Sequence, residues 1–262
     1  MILYGDYHTH TIFSHGSGTV LDNAIVAARK GLKEIAITDH GFRHKTFGMS
    51  LTDMDKLKND CLEATKQTGV KVLLGVESNF ISLDGTIDLT SEQVEMFDIV
   101  LCGYHNFVWA KTPSDSYNLF FKNIISPIIG TSKKQIEKNT NCILRAMDKN
   151  PCIKVLTHVG YGMKVDALTV AREARDRGVL IELNGKRIHF TDEEILIMTQ
   201  EKVNFIIDSD AHRPERVGEC NRGTNLALRL QIPYERIANV NHSIFKENIW
   251  NPASPKKPNC KF

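Results

Sequence analysis

Short apolar runs alternate with longer amphipathic stretches along most of the chain. The amphipathic stretches Leu21–Lys30, Thr52–Thr68 and Ala167–Arg177 predict helices, and a glycine follows each of them, as at many helix ends. The apolar runs predict buried parallel strands, and repeated strand–helix units of this kind are typical of an α/β fold. Seven strands are predicted: Ile2–Tyr7, Glu34–Thr38, Lys71–Val76, Asp98–Gly103, Ile153–Thr157, Val179–Leu183 and Asn204–Asp208.

Two segments depart from this pattern. Residues 107–131 are rich in aromatic residues, serine and proline and show no clean period, which predicts a long loop. Such a loop could be a lid over a binding site or a passive insertion on the barrel edge. Residues 251–262 contain three prolines and three lysines and are expected to form a surface extension after a single domain of residues 1–250.

Composition and charge limit the possible partners. The chain has 262 residues, 42% of them hydrophobic, which is enough for one large core. Its 33 lysines and arginines nearly balance 31 acidic residues, so the basic excess expected of a protein bound to nucleic acid is missing. No leader pattern or apolar stretch of about 18 residues is found, and a cytoplasmic protein without a membrane span is expected.

Six cysteines are scattered without any C-x-x-C pair. A chain of this size has no need of disulfide bonds to build a core, and the spacing does not fit a zinc ribbon. We therefore expect reduced thiols, most of them buried.

Residues that can bind a metal follow every predicted strand. Because the strand ends of a βα barrel converge on one face, these residues are expected to meet in one cleft. Seven of the ten histidines lie at these ends, a placement with few structural uses. The segments are Asp6-Tyr7-His8-Thr9-His10 with His15, Thr38-Asp39-His40, Gly75-Val76-Glu77, Gly103-Tyr104-His105, Thr157-His158, Glu182-Leu183-Asn184 and Asp208-Ser209-Asp210-Ala211-His212.

The number of candidate ligands indicates more than one ion. One ion takes about four to six ligands, so nine candidates imply two or three ions. A mixture of imidazole and carboxylate suits zinc, iron(II) or manganese. The nine candidates are His8, His10, His15, His40, Glu77, His105, His158, Asp210 and His212.

The expected charge of this cleft favours an anionic substrate. Three divalent ions opposed only by Glu77 and Asp210 leave a net charge of about +4, since neutral imidazole adds none. Paired ions also acidify water to a pKa of about 7 and hold both oxygens of a phosphoryl transfer. Hydrolysis of a small phosphoester uses all of these properties.

Taken in order, these segments resemble the motifs of the PHP family, named for its polymerase-associated and histidinol phosphatase members. The resemblance covers most of the chain and is greatest to stand-alone bacterial phosphatases, because Ile181-Glu182-Leu183-Asn184 and the single-domain length both fit. It implies a distorted seven-stranded βα barrel with a trinuclear site. Histidinol phosphatases of the family tend to have an arginine shortly after the fifth-strand histidine, whereas Val-Gly-Tyr-Gly-Met-Lys follows His158 here.

The resemblance also implies roles for individual residues. Glu77, Asp210 and His212 are the catalytic candidates, and a hydroxide shared by the first two ions would be the nucleophile. The first ion would be held by His8, His10, Glu77 and Asp210, the second by Glu77, His105 and His158, and the third by His15, His40 and His212.

Other residues of the expected cleft are less specific. Lys186 and Arg213 are the candidates for binding a phosphate, and Asp6 and Asp39 could orient ligand histidines or simply form turns. His44 could face the substrate, whereas His189 and His242 are expected to be surface or packing residues. Trp109 could stack on a substrate ring or serve as a packing anchor.

The leading hypothesis is a phosphatase that acts on a small phosphomonoester. A phosphodiesterase or 3′-5′ exonuclease would use the same metals, but it would need a row of basic residues leading into the cleft. The near-neutral net charge of the chain disfavours this alternative. A histidinol phosphatase is a further alternative, and a non-catalytic metal-binding barrel would be indicated by lost motif residues, of which none is seen. An amide hydrolase of a related barrel fold would usually have a lysine that bridges two metal ions, and fewer histidines.

Overall fold

A computed structural model describes residues 1–245 of the chain, and the predicted extension 251–262 lies outside this range. Seven parallel strands lie side by side in chain order, so each strand pairs with its neighbours in sequence. The strands are β1 (Gly5–Thr9), β2 (Glu34–Ile37), β3 (Lys71–Asn79), β4 (Ile99–Gly103), β5 (Ile153–Leu156), β6 (Leu180–Glu182) and β7 (Phe205–Ile206).

Helices cover the outside of this curled sheet. The predicted helices are found with small shifts, and glycines in left-handed conformations follow two of them, Gly69 (φ 71°) and Gly178 (φ 69°). The helices are α1 (Val20–Arg29), α2 (Met54–Thr68), α3 (Ser91–Val94), α4 (Pro113–Asp115), α5 (Lys122–Ile129), α6 (Lys133–Lys149), α7 (Ala167–Arg177), α8 (Asp192–Gln200) and α9 (Asn221–Arg229).

Contacts between β1 and the chain after β7 close the sheet into a barrel. The backbone N–H of His10 donates to the carbonyl of Ala211 at 2.8 Å, and Thr9 forms a bridge with Ala211. The side chain of Asn239 donates to the carbonyls of Gly5 and Ile207 and accepts from the N–H of Ile207. The predicted distorted (β/α)7 barrel is confirmed.

The barrel interior is filled at one end by an apolar cluster to which every strand contributes. Every member of this cluster is buried, and a larger apolar layer lies outside it, between the strands and the helices. The interior cluster contains Tyr7, Ala36, Leu73, Ile99, Leu101, Val155, Leu180, Ile206, Ala238 and Ile244.

An irregularity in β1 lets this strand serve both the apolar cluster and the opposite end. Asp6 pairs with Ile35 of β2, but Thr9 pairs with Ile37, so three steps along β1 match two along β2. Side chains normally alternate between faces, and the extra residue resets this alternation. As a result Tyr7 packs in the interior cluster while His8 and His10 also reach the interior.

The expected loop at residues 107–131 is mostly helical, so that prediction is wrong for residues 113–129. Thr112 caps the segment by accepting from the N–H of Asp115, and Pro113 occupies the first turn. A π-helix, Ser116–Phe121, connects α4 to α5. Its wider turn breaks the 3.6-residue period, which explains why the sequence shows no helical pattern.

Four cysteines in the described part of the chain are buried thiols, as predicted, namely Cys61, Cys102, Cys142 and Cys220. Cys152 is half-buried, and Cys260 lies outside the described residues. Within residues 1–245, no helix is long and apolar enough to cross a membrane.

Candidate metal centre

The predicted ligands converge at the carboxyl ends of the strands, at the end of the barrel opposite the apolar cluster. Three overlapping sets have ligand atoms that all lie within 4.8 Å of one another. The sets are His8 with His10 and Asp210, His40 with Glu77 and His105, and His10 with His40 and His212. Segments more than 200 residues apart in sequence thus meet in one site.

Glu77 lies at the centre of this arrangement. Its Oε1 is 2.9 Å from His158 Nε2 and 3.3 Å from His105 Nε2. Its Oε2 is 3.1 Å from His40 Nδ1 and 3.3 Å from His8 Nε2. Each oxygen therefore faces a different group of imidazoles, as a carboxylate shared by two ions would.

The remaining ligands surround Asp210. Its Oδ1 lies 3.6 Å from His10 Nε2 and 3.3 Å from His212 Nδ1. His15 belongs to none of the three sets; its ring stacks on Phe47 at 3.9 Å between ring centroids and lies 4.7 Å from that of His212. His40 therefore lies between two of the sets, whereas His15 stands at the edge of the cluster.

Residues outside the predicted ligand set hold the ligand rings in place. Glu182 Oε1 lies 2.6 Å from His8 Nδ1, and its Oε2 accepts from the backbone N–H of His158. Asn79 Oδ1 lies 2.8 Å from Nδ1 of His105. Contacts of this kind fix a ring so that its other nitrogen faces the metal.

Asp6 and Asp39 make other contacts. Asp6 accepts from the backbone N–H groups of Ser209 and Gly218 and helps to close the barrel. Asp39 accepts from the backbone and hydroxyl of Thr11 and from the hydroxyl of Ser14. Both therefore order loops next to the site instead of bonding to ligand rings.

Burial and charge set the protonation of the cluster. Burial lowers the pKa of His105 to about 4, although Glu77 opposes the shift, and burial together with nearby imidazoles holds that of His10 well below its ordinary value. Burial would raise the pKa of Glu77, but its interactions with His105 and His8 outweigh it and hold this pKa well below its usual range. Burial would lower the pKa of His8 and of His158, but Glu77 and Glu182 outweigh it and raise both, that of His8 well above its ordinary value. Because a metal binds neutral imidazole, an ion would displace protons from these two rings.

The donor set and its unpartnered atoms fit divalent ions. Glu77 Oε2 and His40 Nδ1 are buried and have no hydrogen-bond partner among the described residues. Buried polar atoms are nearly always satisfied, so two such atoms 3.1 Å apart fit a site for a divalent cation. His158 (φ 31°) and Asp210 (φ 52°) also adopt left-handed backbone conformations, a strain that is typical of functional sites.

Comparison with known proteins decides the family. The family model of the PHP domain matches residues 6–209, more than half of the chain. The chain belongs to the PHP domain family.

Relatives of this PHP domain are similar over nearly their whole length. A probable phosphatase from Clostridium botulinum is 27% identical over an alignment of 263 positions that covers 97% of each chain. One from Caldanaerobacter subterraneus subsp. tengcongensis is 30% identical over an alignment of 254 positions that covers 93% of this chain and 90% of the relative. The prediction of a metal-dependent phosphatase is confirmed at the level of the family.

A solved structure shares the fold. The histidinol phosphate phosphatase of Lactococcus lactis, crystallised with zinc, L-histidinol and phosphate, has a TM-score of 0.63 at 17% identity. The match covers 89% of this chain and 95% of that one.

A cleft of about 470 Å³ opens over the candidate metal centre of the PHP domain. Lys186 lies in it, and its Nζ is 3.0 Å from Asp210 Oδ1 and 2.6 Å from His212 Nδ1. Arg213, the other predicted phosphate-binding residue, is exposed and does not line the cleft. Arg187, in the loop after β6, does line it.

The sequence did not predict whether His44, His189 and Trp109 line the cleft. His44 lines the cleft, with its ring stacked on that of His40 at 5.1 Å, and its Nδ1 accepts from the N–H of Phe47. His189 also lines the cleft, contrary to the expectation of a surface or packing residue. Trp109 does not line it, and the Nζ of Lys45 covers its ring at 4.3 Å from the centroid.

Proposed function

We propose that this PHP domain hydrolyses a small phosphomonoester at a site for two or three divalent ions, with zinc, manganese and iron(II) as the candidates. The observation that carries the proposal is Glu77, whose two oxygens face separate groups of imidazoles and whose Oε2 has no hydrogen-bond partner in the described part of the chain. The three overlapping ligand sets support more than one ion.

The residues that would hold the ions follow from these distances. His8, His10 and Asp210 would hold one ion, His105 and His158 a second, and Glu77 would lie between them. His40 and His212 would hold the third, with His15 at its edge. When bound, such ions acidify water to give a nucleophile near neutral pH and neutralise charge on the phosphoryl oxygens.

The chain itself would bind the phosphate through Lys186 and Arg187. The Lys186 ammonium lies beside Asp210 and His212, two of the residues that would hold an ion. An ammonium at this position could donate a charge-assisted hydrogen bond to an oxygen of the phosphate. Glu77, Asp210 and His212 would act by holding the reacting groups in place.

The size of the cleft supports a small substrate. A volume of about 470 Å³ falls within the range of small-molecule sites, roughly 300 to 1,000 Å³. A nucleic acid substrate would need cationic side chains that continue along the backbone beyond the cleft. Lys186 and Arg187 supply only a local positive charge next to the ligands.

The test is metal content together with turnover. Protein purified without added metal would be examined by mass spectrometry for metals, and phosphate release from p-nitrophenyl phosphate would be measured beside cleavage of bis-p-nitrophenyl phosphate. We expect two to three equivalents of metal and a preference for the monoester. Preference for the diester would instead support a phosphodiesterase, and no bound metal with no metal-restored activity would support a non-catalytic barrel.

The substrate panel should include histidinol phosphate. The relative from Lactococcus lactis was crystallised with L-histidinol and phosphate, but the segment after His158 departs from that subgroup. We expect turnover of histidinol phosphate no faster than that of other small monoesters whose alcohol carries a flat ring. A kcat/KM far above all the others would assign this chain to the histidinol phosphatases.

A further inference from the structure

We infer that the cleft contains a subsite for a flat ring, formed by Phe107 and Tyr161, so that the substrate is the phosphate monoester of an alcohol bearing an aromatic or heteroaromatic ring. Both side chains line the cleft that holds Glu77 and the ligand histidines. The inference rests on the proposed function, which concerns the phosphate group of the substrate. It adds only the nature of the ring on the alcohol that leaves when the ester is hydrolysed.

Phe107 is an exposed ring on an unfavourable backbone. Its side chain is 65% exposed although it lies at a cleft, and its φ of 63° is rare for a bulky residue. Such conformations cost free energy and persist where the surrounding structure enforces them, often at ligand sites. An apolar ring that is exposed at this cost is explained if a ligand covers it.

A short antiparallel ribbon enforces this conformation. The N–H of Lys45 donates to the carbonyl of Phe107 at 2.8 Å, and the N–H of Trp109 donates to the carbonyl of Arg43 at 2.9 Å. The guanidinium of Arg43 also donates to the carbonyl of Trp109. The ribbon therefore places Phe107 at the cleft through bonds that do not involve its side chain.

Tyr161 is presented by a second loop with unusual backbone. It stands between Gly160 (φ 94°) and Gly162 (φ 61°), conformations that other residues adopt only with strain. Its ring is 41% exposed and lies 5.5 Å from that of His158, at an interplanar angle of 68°. Two independent strand-end loops thus use left-handed backbone to place an aromatic ring in the same cleft.

The chemistry of these walls selects a flat group. Aromatic rings attract other rings through stacked or edge-to-face contacts in addition to the area that they bury. The ring of His189 lies 5.4 Å from that of Tyr161 and extends the same wall. A saturated ring of similar volume would still bury apolar surface, but it would lose the additional attraction between aromatic rings.

The experiment compares benzyl phosphate with cyclohexylmethyl phosphate on the metal-loaded enzyme. Both are esters of primary alcohols and have similar volumes, so that the flatness of the ring is the main difference. We expect kcat/KM to favour the benzyl ester about tenfold, chiefly through KM, given the strength of ring–ring contacts. Equal kcat/KM values in the wild type would overturn the inference.

Variants then assign the preference to the two rings. Phe107→Gly removes the ring and also relieves the positive φ, so the protein should fold at least as well, and Tyr161→Ala removes the other ring. Each should reduce the preference about threefold or more. Trp109→Ala is the matched control, because Trp109 is equally exposed on the same ribbon but does not line the cleft. An equal loss for both esters would overturn the role of the rings.

A binding measurement separates this inference from the proposed function. Benzylphosphonate and cyclohexylmethylphosphonate cannot be hydrolysed at the carbon–phosphorus bond, and calorimetry gives their affinity for the metal-loaded protein. If neither ester is hydrolysed but benzylphosphonate binds more tightly and Phe107→Gly abolishes the difference, the proposed function fails and the subsite stands. Equal binding of the two phosphonates would refute the subsite.

Discussion

The two ends of the barrel are built from the same strands but hold opposite kinds of side chain. At the end where the strands begin, the interior is apolar, and its polar groups are paired: the hydroxyls of Tyr7 and Ser243 each donate to Glu34 Oε2 at 2.6 Å. At the other end, Glu77 Oε2 and His40 Nδ1 are buried without a hydrogen-bond partner in residues 1–245. The difference indicates that the first end stabilises the fold, whereas the second is suited to binding a cation.

The largest expected effect comes from Glu77→Gln, which removes the charge at the centre of the ligand cluster. We expect kcat/KM to fall roughly a thousandfold, the size expected for loss of several kcal/mol of transition-state stabilisation. Metal content should fall with it, while circular dichroism should show that the fold is kept. Turnover at the wild-type rate would contradict the metal assignment.

Glu182→Gln and Glu34→Gln form a matched pair, because both glutamates are buried, one at each end. Glu182 contacts His8 and the backbone of His158, so its variant should lose about 10- to 100-fold in metal affinity or activity. Glu34→Gln should instead lower the free energy of unfolding by about 1 to 3 kcal/mol and leave kcat/KM unchanged. If each change affected both properties alike, the division between the two ends would be wrong.

Lys186→Ala tests the proposed phosphate contact. Loss of a charge-assisted hydrogen bond should raise KM for p-nitrophenyl phosphate about tenfold. Arg213→Ala is the companion variant, since this exposed arginine does not line the cleft, and it should change KM by less than about twofold. The opposite ranking would restore Arg213 as the phosphate-binding residue.

The smallest expected effect comes from Tyr7→Phe at the apolar end. The variant loses the hydrogen bond to Glu34, so its free energy of unfolding near neutral pH should fall by about 1 to 2 kcal/mol with activity unchanged. Unfolding by urea, followed by fluorescence, measures the change.

Tyr7 should also give the wild type a distinct response to alkali. Burial and the charge of Glu34 raise the pKa of Tyr7 above its ordinary value of about 10. The unfolded chain then ionises before the folded one, so this stability is fully present below about pH 10 and is lost as the pH rises above it. Relative to Tyr7→Phe, the wild type should lose about 1.4 kcal/mol per pH unit in that range. If the free energies of unfolding of the two proteins changed equally with pH, the pKa of Tyr7 would not be raised by burial.

The convergence of the candidate ligands could be predicted from the sequence because each lies within a few residues of an apolar run. His40, His105 and His158 lie two or three residues after their strands, so the position of a strand also positions the candidate ligand. The topology followed from the same repetition of strand and helix. The assignment of particular ions to particular residues remains a prediction.

Other parts of the site depend on contacts that no local pattern encodes. Asn79 could not be assigned to His105, because β3 continues three residues beyond the predicted end of its strand. Phe107 and Tyr161 come from different loops, and only the closed barrel places them in one cleft. The irregular pairing of β1 with β2 is likewise invisible in the alternation of its side chains.

The closing contacts between β1 and the chain after β7 also order events during protein synthesis. His8 and His10 are made about 200 residues before Asp210, and Asn239, which joins Gly5 to Ile207, is made later still. Contacts between such distant residues form slowly, because a long loop must close first. The nascent chain therefore carries His8 and His10 well before Asp210 is made, so the candidate metal centre can be completed only after the last strand has been translated.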